Sequence, residues 1–287
     1  MKTIFDLYES LLDNIDVTLE KGTIAVEEQN IKDFIFNNYT IKTNMYTPIK
    51  DRCDISGLIK IMKADSIYEV EINGDVELTN KSLKKLTDGS FEFKNINGNF
   101  TVLNANIETL QYGPKYVSSF YIGSCDNLKS LQYCPKYAFD FSIIDCHGIK
   151  DLKYVPEAVD STINLSGSSI MNLKGLSKID IKNPDGLMLV CKNCNNLKDL
   201  SGCHKKTIAL ICSDCENLET LKGCPSITKA YGRYSVDCSN CPKLRAENLP
   251  KKLLNGINIK GCPLIKKNDI RRAGCMTTNI YCDSSQE

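Results

Sequence analysis

The stretch Cys125-Asp126-Asn127-Leu128-Lys129-Ser130-Leu131-Gln132-Tyr133-Cys134-Pro135-Lys136-Tyr137 has near-copies on both sides. Upstream, Asn104-Ala105-Asn106-Ile107-Glu108-Thr109-Leu110 leads into Gly113-Pro114-Lys115-Tyr116. Downstream, Cys146-His147-Gly148-Ile149-Lys150-Asp151-Leu152 leads into Val155-Pro156. The pattern returns at Cys194–Cys203 and Cys215–Pro225, then degrades at Cys241–Leu244 and Cys262–Ile265. Leu110, Leu131, Leu152 and Leu173 are each 21 residues apart, as are Leu200 and Leu221. The spacing of 27 between Leu173 and Leu200 implies a loop around Asp180–Gly186. A weaker copy at Asn80–Leu86 puts the start of the array near residue 76.

Each copy is preceded by a short alternating segment: Phe120/Ile122, Phe141/Ile143, Leu189/Cys191, Leu210/Cys212, Val236/Cys238 and Ile257/Ile259. Period two with aromatic or β-branched residues is a strand signal. A unit of this length cannot bury its apolar side alone. Stacked units can, each strand pairing with its equivalent next door. The Gly/Cys-Pro-Lys segment turns the chain back along an edge that needs no ladder donor, so proline is tolerated there.

The repeated Leu-x-x-Leu with its Asn or Cys three residues earlier resembles the leucine-rich-repeat family, in a short version similar to repeats of bacterial and bacteriophage proteins. The likeness spans roughly residues 76–265. It implies an α/β repeat solenoid with a parallel β-sheet stack, used for protein binding. The copy at Thr162–Leu173 departs from the pattern: Gly167 or Ser168 stands in the Asn/Cys position and the register slips by one.

The chain carries 15 Cys and only 2 His. No secretory signal is visible at Met1–Glu9, where acids interrupt the apolar residues. An odd number of Cys in such a chain points to free thiols in a reducing, cytoplasmic compartment. Cys191/Cys194, Cys212/Cys215 and Cys238/Cys241 form CxxC pairs, with Cys203-His204 between the first two, and so mimic a zinc ribbon. The column positions favour another reading. The second Cys of each pair shares its column with Asn80, Asn104, Cys125, Cys146 and Cys262, and the first with Ile122, Ile143 and Ile259. A position that alternates with Ile suits a small hydrophobe better than a ligand.

The N-terminus is different material. Ile4, Leu7, Tyr8, Leu11, Leu12, Ile15 and Leu19 follow helical spacing, and a second helix is expected over Val26–Asn38 with Ile31, Phe34 and Ile35 on one face. Residues 1–45 hold 4 Lys against 8 Asp+Glu, a net of −4. This segment reads as an N-terminal α-helical cap over the first coil, or as a docking element. Residues 2–16 also resemble short leaders on proteins of tailed phages of gut Bacteroidales, which implies a phage origin and a virion-associated or host-directed protein. Tyr39–Asp75 reads as transition strands; Tyr68–Ile72 alternates cleanly before Asn73-Gly74, so pairing with the first coil is expected. The expected organisation is thus a cap or docking segment (1–45), transition strands (46–75), the solenoid (76–265) and a C-terminal cap (266–287).

Lys243–Arg272 holds 9 Lys+Arg against 2 Asp+Glu, a net of +7, without an aromatic platform nearby in sequence. Over the whole chain, 36 Lys+Arg nearly balance 35 Asp+Glu, which gives no general case for nucleic acid or an anionic membrane. No apolar stretch approaches the roughly 20 residues that span a bilayer. No Walker or Rossmann glycine pattern calls for a cofactor, and no elbow frames a Ser or Cys nucleophile. The reading that remains is a non-catalytic scaffold for a protein partner. Its expected contacts are outward-pointing strand residues: Tyr121, Ser142, Val190, Ile211, Asp237 and Asn258, with Ile144, Lys192 and Lys260 two places on. The alternative is a zinc- or nucleic-acid-binding module using the CxxC pairs and the basic C-terminal region.

Overall fold

The computed structural model describes residues 26–42 and 58–287, apart from positions 81, 84, 112, 230 and 231. The helix expected over residues 4–19 lies outside them. Residues 26–38 are helical. Ile31 and Ile35 are buried, and Phe34 meets the Phe91 ring edge-on at 5.7 Å, so this helix covers the first coil.

The first strands in chain order are β1 (Tyr39–Lys42), β2 (Ile59–Ala64), β3 (Ile67–Ile72), β4 (Asp75–Leu78) and β5 (Phe91–Leu103). Next come β6 (Tyr116–Gly123), β7 (Tyr137–Ile144), β8 (Ala158–Asn164), β9 (Asp180–Ile181), β10 (Leu187–Val190) and β11 (Thr207–Ile211). The chain ends with β12 (Val236–Asp237), β13 (Lys252–Leu253), β14 (Ile257–Asn258), β15 (Met276–Thr277) and β16 (Ile280–Tyr281). β1 pairs antiparallel with β4, and β2 with β3. The remaining strand pairings are parallel, and the main sheet runs β1-β4-β5-β6-β7-β8-β10-β11-β12-β14-β16. The result is a parallel β-solenoid of about ten turns with a helix at its N-terminal end. The alternating segment before Asn73-Gly74 does pair with the first coil: β3 and β4 both lie parallel to the long β5, one along each half. The stack therefore begins with residues before 76.

Cross-strand register makes the interior a set of columns. Phe100, Phe120 and Phe141 stack with centroids 5.8 and 5.7 Å apart and ring planes 12° and 4° from parallel. Ile163, Leu189, Leu210, Val236 and Ile257 continue that column, all buried. At the end of each strand one residue turns through a left-handed conformation: Asn104, Ser124, Asp145, Gly167, Asn193, Asp214, Asn240 and Gly261, with φ from +50° to +71°. Asn, Asp and Gly suit this backbone because the steric cost is small or offset by local hydrogen bonds. The N–H of each such residue from Ser124 to Asn240 donates to a carbonyl of the following coil, for example Asp145 to Ser166 at 2.8 Å and Asn193 to Ser213 at 3.1 Å.

These columns refine the alignment read from sequence. Asn104 belongs to the left-handed column, and Ala105 takes the place assigned to it beside the Cys residues. The slip at Thr162–Leu173 is real: the pairing of β7 with β8 shifts between Ala138 and Asp140. Ile163 nonetheless faces Phe141, and Ser168 occupies the thiol column. The expected loop around Asp180–Gly186 is shorter than that range, because Asp180–Ile181 pairs as β9 with β8. A second insertion was hidden by decay of the repeat: 26 residues separate Leu218 from Leu244. The two insertions meet where Lys229 Nζ bonds the Pro184 carbonyl at 2.9 Å and Asp185 at 3.3 Å.

Candidate functional site

The outward face of the sheet is built by the same register as the core. Thr101, Tyr121, Ser142, Asn164, Val190, Ile211, Asp237, Asn258 and Tyr281 form one unbroken row across adjacent strands. Tyr121, Ser142, Val190, Ile211 and Asp237 are half-buried in it. Asn258 is buried: its amide donates to Asp237 Oδ1 at 3.0 Å and its Oδ1 accepts the Lys260 N–H at 3.3 Å. Asp237 Oδ1 also accepts the N–H and hydroxyl of Ser239, so this pair is occupied within the chain. Ile144 is half-buried, and Lys192 and Lys260 are exposed. Lys192 reaches Asp214 at 3.5 Å.

Sequence reading missed three members of this row, the first of them Thr101 on β5. Asn164 was concealed by the one-residue slip, and Tyr281 lies beyond the recognisable repeats. Tyr281 meets Tyr234 edge-on at 4.7 Å, and the Arg233 guanidinium sits 5.3 and 5.6 Å from the two ring centroids. The fold thus brings Tyr281 together with an aromatic and a guanidinium that the sequence keeps in another coil.

A larger omission lies on the first coils. Among the described residues the exposed aromatic side chains are Tyr116 (44%), Tyr133 (53%), Phe139 (47%) and Tyr154 (40%). All four fall within 39 residues of chain, in neighbouring coils. Tyr116 faces Tyr137 across the β6–β7 ladder, and Phe139 lies two residues further along β7. Tyr133 and Tyr154 occupy equivalent turn positions one coil apart, with Lys153 Nζ 4.9 Å from the Tyr154 ring centroid. Tyr116 was legible as the end of the repeated Pro-Lys-Tyr, but period alone does not say which aromatics face water.

The thiols divide into columns, as the spacing implied. Cys191, Cys212 and Cys238 are fully buried beside Ile and Leu equivalents. Cys215, Cys241 and Cys262 point their S–H groups at the carbonyls of Cys191, Cys212 and Cys238 in the preceding coil, at 3.1, 3.2 and 3.0 Å. Burial pushes the Cys212 and Cys238 thiols well above their usual range. A thiol held protonated is a poor nucleophile and a poor metal ligand. Among the described residues no group of three or more His, Cys, Asp or Glu side chains has metal-holding geometry. His204 is buried apart from these columns, its Nδ1 accepting the Lys206 N–H at 3.1 Å. His147 lies on the surface with Nδ1 2.7 Å from Asp126.

No family model, curated protein or solved structure matches this chain. Among the described residues no helix is long and apolar enough to cross a membrane.

Proposed function

We propose that this protein is a non-catalytic scaffold of leucine-rich-repeat type that grips a protein partner with the outward face of its sheet. The observation that carries the reading is the cluster of exposed aromatics on neighbouring coils. Burying aromatic side chains is the main source of interface hot spots, and large exposed apolar groups gathered in one place commonly mark interfaces. Tyr116 and Phe139 lie on the same strands as Tyr121 and Ser142, so the exposed aromatics and the outward row belong to the same coils. Val190 and Ile211 extend it towards the C-terminal coils. With the resemblance of residues 2–16 to phage leaders, the reading extends to a virion-associated or host-directed protein. The zinc alternative is weakened by CxxC thiols that are buried in two separate columns, with Cys215 and Cys241 turned to backbone carbonyls and no metal-holding group among the described residues.

The test is affinity capture with wild type and two double variants, Tyr116→Ala/Phe139→Ala and Tyr121→Ala/Ile211→Asp. Each variant should lose the captured protein by about tenfold or more with circular dichroism unchanged. A partner retained equally by both variants would move the binding surface to the opposite side of the solenoid or to the N-terminal segment.

A further inference from the structure

The last turn of the solenoid contains a cationic cavity that the scaffold reading does not use. The short helix Lys267–Arg272 sets Lys267 and Arg271 one turn apart on one face. Both line a cavity of about 300 Å³ whose facing wall is formed largely by Thr277–Ile280. That wall has spent its hydroxyl protons. Thr277 Oγ1 donates to the Asn279 carbonyl at 3.2 Å and Thr278 Oγ1 to the Leu254 carbonyl at 2.7 Å. Arg271 uses one N–H on Asn268 Oδ1 at 3.3 Å, and its remaining N–H groups are available to a ligand. Lys267 is held by the Glu287 carboxylate at 2.6 Å.

The surroundings favour an anion. Lys251 and Lys252 lie beside the strand Met276–Thr277, and Lys266 precedes the helix, all three exposed. The nearest other carboxylates are committed elsewhere. Asp269 accepts the Lys266 N–H at 3.0 Å and lies 3.8 Å from Arg272, and Asp283 accepts the Gly261 N–H at 2.7 Å. Glu287 differs, because its side chain is 59% exposed and can leave Lys267 without unpacking anything. Hydrogen bonds from Lys267 and Cys282, with the charge of Arg271, hold its carboxyl below the usual range. A carboxylate thus already samples the edge of this site.

We propose that this cavity binds a phosphate group, as the free ion or a phosphomonoester, with Arg271 and Lys267 as its ligands and Glu287 as a built-in competitor. A phosphate dianion matches two cations in charge, and its oxygens suit the guanidinium fork together with the point charge of an ammonium. The positive field of the surrounding lysines concentrates such ions at the cavity mouth. The inference is independent of the aromatic face, which belongs to other coils.

The test is a ¹H–¹⁵N titration of the full chain at constant ionic strength, with separate arms of inorganic phosphate, O-phosphoserine and a nucleoside monophosphate. Saturable shifts centred on residues 267–280 are expected. Arg271→Gln should weaken binding about tenfold, and Glu287→Gln should strengthen it about threefold by freeing Lys267. The tighter arm identifies the free ion or the ester as the source. Shifts that do not saturate, or that chloride reproduces, would overturn the proposal. So would an Arg271→Gln protein with wild-type affinity, or a Glu287→Gln protein that binds more weakly.

Discussion

At the scale of the residue, the cysteines show how one side chain serves two physical roles. Cys212 fills a column held elsewhere by Ile122, Ile143 and Ile259, and works by volume alone. Cys215, three residues on, supplies a proton to the Cys191 carbonyl. Ser168 in the same column does so with a hydroxyl, to the Leu165 carbonyl. Two valine substitutions should therefore separate. Cys212→Val should change stability by less than about 1.5 kcal/mol, since the site accepts a branched hydrophobe. Cys215→Val should cost about 1–3 kcal/mol by leaving a buried carbonyl without its donor. Urea midpoints at unchanged slope measure both, and equal losses would show that the thiol column acts only by packing.

Two phenylalanines on neighbouring strands set the terms at the scale of the element. Phe120 on β6 is stacked between Phe100 and Phe141 and almost wholly buried, whereas Phe139 on β7 is 47% exposed. Phe120→Ala opens a cavity in the middle of a continuous aromatic column and should cost about 3–5 kcal/mol. Phe139→Ala removes a side chain that packs little and should stay within about 0.5 kcal/mol. Thermal unfolding of the two variants reads the difference directly. A large loss for Phe139→Ala would mean that this aromatic belongs to the fold and not to an interface.

The whole molecule is a one-dimensional stack, so its stability is a sum over coils and their contacts. Strand length falls from 13 residues in β5 and 8 in β6 and β7 to 2 in β12, β14 and β16. Amide protection should follow that gradient. Hydrogen exchange is expected slowest in β6–β8 and faster from β12 onward, where fewer backbone groups join a ladder. Uniform protection along the chain would contradict a stack of semi-independent coils. In the last described coil Gln286 is nonetheless buried and donates its amide to the carbonyls of Ile259 and Cys262 at 2.9 and 2.6 Å, as the thiols do in earlier coils.

The 21-residue period, the inward strand columns and the separation of each CxxC pair into two columns were legible in the residues alone. They follow from local spacing, and a stack repeats local spacing in space. The helix over residues 26–38 was legible for the same reason, through Ile31 and Ile35. Tertiary structure alone decided which aromatics stay in water, that Asn258 is spent on Asp237, that Tyr234 meets Tyr281, and that Lys267 and Arg271 share a cavity with Thr277–Ile280. Each of these depends on which side chains the folded coils bring together, and strand register and turn geometry decide that. A one-residue shift there changes neighbours without disturbing the repeat that the sequence displays.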